Sequence, residues 1–190
     1  MIKAIIFDCF GVLYVHHGPD YIKNNVVNYP EIKNKLAYLS DQTDIGNISQ
    51  AEYEIEVSKL TGLPIEQIHA HVKRGYSLNQ NLLNYIQDTL RSNYKIGLLS
   101  NISRGSMDNF FTQPQQANLF DAVVLSNEVK MIKPDPEIYK YICHKLGVDP
   151  DEAIMIDDIY DNCIGAEKIG MKSIFYDGFV HLQTSLKKYI

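Results

Sequence analysis

Five short runs along the chain are apolar without interruption. They are residues 3–8 (KAIIFD), 95–99 (KIGLL), 122–125 (AVVL), 153–156 (AIMI) and 173–176 (SIFY). A strand with one wet face alternates apolar and polar positions, whereas an unbroken apolar run belongs to a strand covered on both faces, as in a parallel sheet. Helical segments separate the later runs. Residues 134–146 begin at a proline and stop before Gly147, and residues 161–169 stop before Gly170. Proline at the start and glycine just past the end mark the two ends of a helix. Strands that alternate with helices in this way predict an α/β fold, a doubly wound parallel sheet.

One interval breaks the rhythm. Residues 9–94 separate the first two runs, far more than one crossover helix requires. Within it the pattern predicts helices over 30–39, 49–60, 64–73 and 78–91. The second of these opens with Ser49 and carries Glu52 three residues on, the pattern of a capping box. The reading is a small α-helical cap, residues 15–82, inserted into a core made of residues 1–14 and 83–190. No internal repeat or low-complexity tract interrupts either part.

Composition narrows the function classes. A chain of 190 residues with 45% hydrophobic and 22% charged residues can bury a sizeable core. Its formal net charge is −5, and no Lys/Arg cluster or basic stripe is present, so nucleic acid is not an expected partner. An anionic small molecule remains compatible, because a site can be locally positive on an acidic protein. The three cysteines, Cys9, Cys143 and Cys163, are odd in number and scattered. That argues against a disulfide framework or a zinc site and suits a reducing compartment. The first apolar run is too short for a membrane span or a signal peptide. A cytoplasmic protein, monomer or homodimer, is expected.

The candidate chemistry lies where the strands stop. The first run ends at Asp8 and the second at Ser100-Asn101. The loop after the third carries Lys130 and Lys133, and the fourth ends at Asp157-Asp158, with Asp161 and Asn162 just beyond. In open parallel sheets, ligands bind outside the carboxyl ends of the strands, so the fold gathers these residues at one edge. Several carboxylates brought together repel unless a cation sits among them. A set of hard oxygen ligands without His or Cys points to Mg²⁺.

With these residues in place, the chain closely resembles the haloacid dehalogenase superfamily of hydrolases over nearly its whole length. Asp8-Cys9-Phe10-Gly11-Val12-Leu13 is similar to the first motif, Leu98-Leu99-Ser100-Asn101 to the second and Lys133-Pro134-Asp135-Pro136 to the third. Ile156-Asp157-Asp158, with Gly165-Ala166 and Gly170-Met171, is similar to the fourth. The inserted helices resemble the cap of many members. The resemblance implies a Mg²⁺-dependent phosphatase acting on a small phosphorylated molecule. Asp8 is the implied nucleophile, forming an aspartyl-phosphate. The implied metal ligands are Asp8, the backbone carbonyl of Phe10 and Asp158, with Asp157 as a ligand or just behind one. Ser100 and the N–H of Asn101 hold phosphate oxygens, Lys133 neutralises charge on Asp8 and the transferring group, and Asp161 or Asn162 orients a metal-bound water.

Phe10 departs from that pattern. The family's phosphatases usually carry a second Asp there, which protonates the leaving oxygen and later activates water, work worth roughly 10²–10⁴-fold in rate. Phenylalanine does neither. Three readings stay open: a phosphatase whose leaving group departs without that acid, a dehalogenase, or a phospho-ligand binder with little turnover. Sugar-phosphate phosphatases of the superfamily that lack this Asp resemble the chain at Asp44-Ile45-Gly46-Asn47-Ile48-Ser49, which favours a sugar phosphate as substrate. Dehalogenases resemble it in an aromatic residue at Phe10 and in Ser100-Asn101. They typically lose the acidic pair that Asp157-Asp158 retains. His16, His17, Asp20 and Arg74 are candidates for substrate contact, and Cys9 reads as a core residue.

Overall fold

A computed structural model describes residues 1–16, 21–73 and 76–190. In chain order its elements begin with β1 (Ala4–Phe7), β2 (Tyr14–His16), α1 (Tyr21–Asn25), α2 (Tyr29–Asp44), α3 (Gln50–Thr61), α4 (Ile65–Lys73), β3 (Tyr76–Leu78) and α5 (Gln80–Tyr85). There follow β4 (Lys95–Ser100), α6 (Gln113–Leu119), β5 (Ala122–Leu125), α7 (Ser126–Val129), α8 (Pro136–Leu146), β6 (Ala153–Asp157), α9 (Tyr160–Glu167), β7 (Lys172–Phe175) and α10 (Phe179–Leu186). The last turns of α5 widen into a π-helical stretch over Ile86–Leu90.

The five predicted strands form one parallel sheet in the order β5-β4-β1-β6-β7. β1 lies at its centre, with Phe7 in register with Leu98 on one side and Ile156 on the other. Successive side chains of a strand point to opposite faces, and here both faces are covered. Ile5, Phe7, Leu98 and Ile156 pack with Leu82, Ile86, Leu182 and Leu186, from α5, its π turn and α10. Ala4, Ile6, Leu99 and Met155 pack on the other face with Ile138, Ile142 and Leu146 of α8 and Ala166 of α9. That double cover is why the runs are apolar without alternation. Gly97 in β4 lets α8 approach, because a Cβ there would lie 3.1 Å from both Ile6 and Leu146.

The inserted helices have a core of their own: Val26, Ile32, Leu36, Val57 and Ile68 form a separate buried cluster. The capping box at Ser49 and Glu52 is present, with Ser49 N–H donating to Glu52 Oε2 at 2.7 Å. The chain leaves for these helices along β2 and returns along β3, two short strands that pair antiparallel with Tyr14 opposite Leu78. Among the described residues, no helix is long and apolar enough to cross a membrane.

Candidate active site

Asp8 follows directly on β1, where its N–H still donates to Ile156 O at 2.9 Å and so extends the strand's ladder by one residue. Asp157 is the last residue of β6, the neighbouring strand. Between their carboxylates stands Lys133. Its Nζ lies 2.7 Å from Asp8 Oδ1 and 2.6 Å from Asp157 Oδ2. Lys133 is only 3% exposed, Asp8 5% and Asp157 not at all. A buried ammonium held by two carboxylates is stable only as a set, since removing one member strands the others' charge in a poor solvent. Burial works against the Lys133 ammonium, but Asp8 and Asp157 outweigh it and raise its pKa. Burial likewise pushes Asp8 up, to about 7, against the pull of Lys133.

Asp157 is fully engaged. Besides Lys133 it accepts from Ile159 N–H at 2.9 Å and from Asn162 Nδ2 at 3.0 and 3.1 Å. Asp158 differs, because its Oδ1 is buried without a hydrogen-bond partner. Burial and the neighbouring Asp157 both raise its pKa. Gly11 lies flush against this carboxylate: a Cβ at Gly11, whose φ is +82°, would sit 1.9 Å from Asp158 Oδ2. Asp8, Asp157 and Asp158 each offer an oxygen within 4.8 Å of the others. An orphaned buried oxygen in a cluster of hard ligands fits a divalent cation such as Mg²⁺.

Asn101, one residue past β4, fixes the lysine's backbone. Its Nδ2 donates to Lys133 O at 3.0 Å, and its Oδ1 accepts from Lys133 N–H at 2.9 Å. Ser100 is wholly buried at the strand end, while Asn101 stands on the wall of the cavity above Asp8. Of the two candidates after the fourth strand, Asn162 is buried against Asp157 and reaches the cavity, whereas Asp161 is exposed in the first turn of α9. Gly165 on α9 explains part of the fourth motif, because a Cβ there would lie 2.7 Å from Pro134 O. The helix thus seats the loop that carries Lys133.

Phe10 is half-buried and packs against the edge of the main core. Its ring packs against Tyr76 and Phe110, with centroids 5.1 and 4.8 Å away. It forms part of the wall of a cavity of about 400 Å³ with Asp8, Gly11, Asn101, Lys133 and Asp158. A larger cavity of about 1170 Å³ adjoins it and shares Phe10, Ser40, Asp44, Tyr76 and Asn101. The described sequence candidates beside the first motif have other places: Cys9 is wholly buried in the core, and His16 closes β2. His17, Asp20 and Arg74 lie outside the described residues.

Apart from Asp44, named in the resemblance at residues 44–49, the sequence pattern did not single out the far wall of these cavities. Lys33, Leu36, Ala37, Ser40, Thr43 and Asp44 of α2 all line them. The signal is present in retrospect, since these positions fall three and four residues apart and so on one helix face. That face is polar toward its end, and a polar helix face reads as solvated until the core is placed opposite it. Burial pushes the Asp44 carboxyl up to about 7, with Asp41 acting in the same direction and Lys133 opposing.

Residues 35–176 match the family model described as haloacid dehalogenase-like hydrolase. Among curated proteins the chain is similar to the pyrophosphatase PpaX of Bacillus cereus (strain AH820), 27% identical over 88 residues, 46% of this chain and 41% of that protein. PpaX of Bacillus velezensis is 30% identical over 88 residues, with the same shares. The chain thus matches well under half the length of these relatives. Among solved structures it is similar to a HAD family enzyme of Bacteroides thetaiotaomicron in complex with magnesium and inorganic phosphate. That likeness is 28% identical, has a TM-score of 0.74 and covers 96% of this chain and 99% of the other. A 2-haloacid dehalogenase of Pseudomonas syringae shares the fold at 15% identity, a TM-score of 0.59 and coverage of 93% and 87%.

Proposed function

As the chain belongs to the haloacid dehalogenase-like hydrolases, we propose that it is a Mg²⁺-dependent phosphatase that hydrolyses a small phosphate monoester, a sugar phosphate, through an aspartyl-phosphate on Asp8. The observation that carries the reading is the buried Lys133, held between Asp8 and Asp157 beside the unpartnered Asp158 oxygen. It pairs a positive group for phosphate with an acidic set that a metal-free mechanism would have no reason to keep. A HAD family neighbour solved with magnesium and phosphate, and relatives named pyrophosphatase, support the same direction.

In this reading Asp8 attacks phosphorus and the bond to the leaving oxygen breaks. Lys133 faces the charge that develops on the phosphoryl oxygens and favours the ionised form of Asp8 against the effect of burial. Ser100 and the N–H of Asn101 hold phosphate oxygens, and Asn101 also fixes the Lys133 backbone. Asp8, Asp158 and the Phe10 carbonyl oxygen would hold Mg²⁺, with Asp157 locking Lys133 and Asn162 in place behind them. When bound, the ion supplies charge that offsets the repulsion between carboxylate and phosphate. Residues 15–82 act as a cap over a core of residues 1–14 and 83–190, excluding bulk water and selecting the substrate.

The test is phosphate release by the parent protein and by Asp8→Asn, each with Mg²⁺ and with chelator. Release that requires both Asp8 and Mg²⁺ supports the reading. Turnover that survives chelation would favour carbon–halogen hydrolysis. Tight phosphate binding with turnover at background would favour a binding protein.

A further inference from the structure

Phe10 leaves this phosphatase without a proton donor two residues past its nucleophile. The cavity wall offers other groups. Lys133 is held by two carboxylates, and Asp158 belongs to the cation's donor set. Tyr76 has a hydroxyl whose pKa burial raises further above its ordinary value. Asp41 is exposed. Asp44 is largely enclosed and lines the same 400 Å³ cavity as Asp8 and Lys133.

We propose that Asp44, from the inserted helices, is the catalytic acid and base that Phe10 cannot be: it protonates the leaving oxygen and then accepts a proton from the attacking water. This rests on the phosphatase reading above.

The geometry that supports it is a clamp. Asp44 is the last residue of α2, and its backbone is tied to the core edge that carries the nucleophile. Ser126 Oγ donates to Asp44 O at 2.6 Å, while that same Oγ accepts from Ile102 N–H at 2.9 Å. Lys130 Nζ donates to Ile45 O at 2.8 Å and Gly46 O at 3.0 Å. Gly46 has φ +76°, and a Cβ there would come within 2.9 Å of that Nζ. Lys130 itself adopts φ +58°, uncommon for a residue with a side chain. Three hydrogen bonds, one to Asp44 and two to the residues that follow it, thus hold this end of α2 at a fixed place over the site, which positioned proton transfer requires.

The proton balance closes. In the first step an Asp8 oxygen bonds to phosphorus, the P–O bond breaks, and the departing oxygen takes the proton of the Asp44 carboxyl. Asp44 is left as carboxylate. In the second step water attacks phosphorus, gives a proton to Asp44, and releases inorganic phosphate and the Asp8 carboxylate. Both states of Asp44 are accessible near neutrality, because burial sets its pKa at about 7. The groups facing it are Asp41 on its own helix, Lys130 beneath, Tyr76 from β3, and Asp8, Lys133 and Asp158 across the cavity.

The experiment compares the parent with Asp44→Asn on two substrates, with Mg²⁺. One is an alkyl phosphate such as a hexose 6-phosphate, whose alkoxide needs a proton. The other is p-nitrophenyl phosphate, whose phenolate does not. The expected result is a fall in kcat/KM of roughly 10²–10⁴-fold on the alkyl ester, a change of a few-fold at most on the aryl ester, and unchanged inhibition by inorganic phosphate. The parent's pH profile gives a second reading that does not depend on the variant's folding: kcat/KM on the alkyl ester, which reports the step in which Asp44 acts as acid, declines above a pH of about 7, and that limb is missing for the aryl ester. Equal losses on the two substrates, no loss on the alkyl ester, or identical alkaline limbs would overturn the assignment. A parent that releases phosphate from neither substrate overturns the phosphatase reading itself.

Discussion

At the scale of residues, the site turns on one buried cation and one close glycine. Lys133→Met keeps most of the volume but leaves Asp8 and Asp157 facing each other unpaired. We expect it to lower stability by roughly 3–5 kcal/mol, read from the denaturant midpoint; a loss below about 1 kcal/mol would mean that the carboxylates rearrange or protonate cheaply. Gly11→Ala places a methyl 1.9 Å from Asp158 Oδ2 at a φ of +82°. It should weaken Mg²⁺ binding measured by calorimetry, and unchanged affinity would remove Asp158 from the ligand set. Asp44 carries a pH signature. Its folded pKa is raised from 3.8 to about 7, so the fold favours its protonated form, and its contribution to stability falls as pH rises through that window. Asp44→Asn removes that loss. The variant should therefore gain on the parent between a pH of about 4 and about 7, in melts at matched ionic strength. Asp8, Lys133, Asp157 and Asp158 were legible in the sequence because each sits at or near a strand end, where the topology alone brings them together. Asp44 was named only within the resemblance at residues 44–49, and its acid–base role was not legible, because that role depends on which helix face meets the core.

At the scale of elements, legibility followed how local the signal was. The five central strands and the Ser49 cap are written in neighbouring residues, and they form where the pattern puts them. β2 and β3 are three residues each, and they exist only because residues far apart in the chain pair with each other. α2 runs on to Asp44, past the expected end at residue 39, since its last turn is held from outside by Ser126 and Lys130. α5 starts at Gln80 rather than 78, because Asn79 caps it by accepting from Leu82 N–H at 3.3 Å. The clamp on α2 makes its own prediction. Ser126→Ala removes one bond to Asp44 and leaves Ile102 N–H without its partner. It should reduce kcat more than it raises KM, and it should lower stability by roughly 1–3 kcal/mol, because a buried N–H is left unpaired. A change in KM alone would show that the clamp tunes substrate entry and not the placement of Asp44.

At the scale of the whole molecule, a parallel sheet presents its acidic strand ends to a cavity roofed by a lobe with a core of its own. The family and the fold follow from that arrangement. The substrate does not, because the lobe residues that face it come from several helices and share no motif. A cation that enters the acidic cluster binds only the folded state, so Mg²⁺ at about 100 times its dissociation constant should stabilise the protein by about 2.7 kcal/mol. Chelation should reverse the shift, and Asp158→Asn should abolish most of it. The central claim, that Asp8 is the nucleophile of a metal-dependent phosphatase despite Phe10, is tested most directly by phosphate release from a panel of phosphorylated metabolites, with Mg²⁺ and with chelator. The account predicts release from a few sugar phosphates, lost on chelation and lost in Asp8→Asn. Release that persists without metal or without Asp8, or none across the panel, would contradict it.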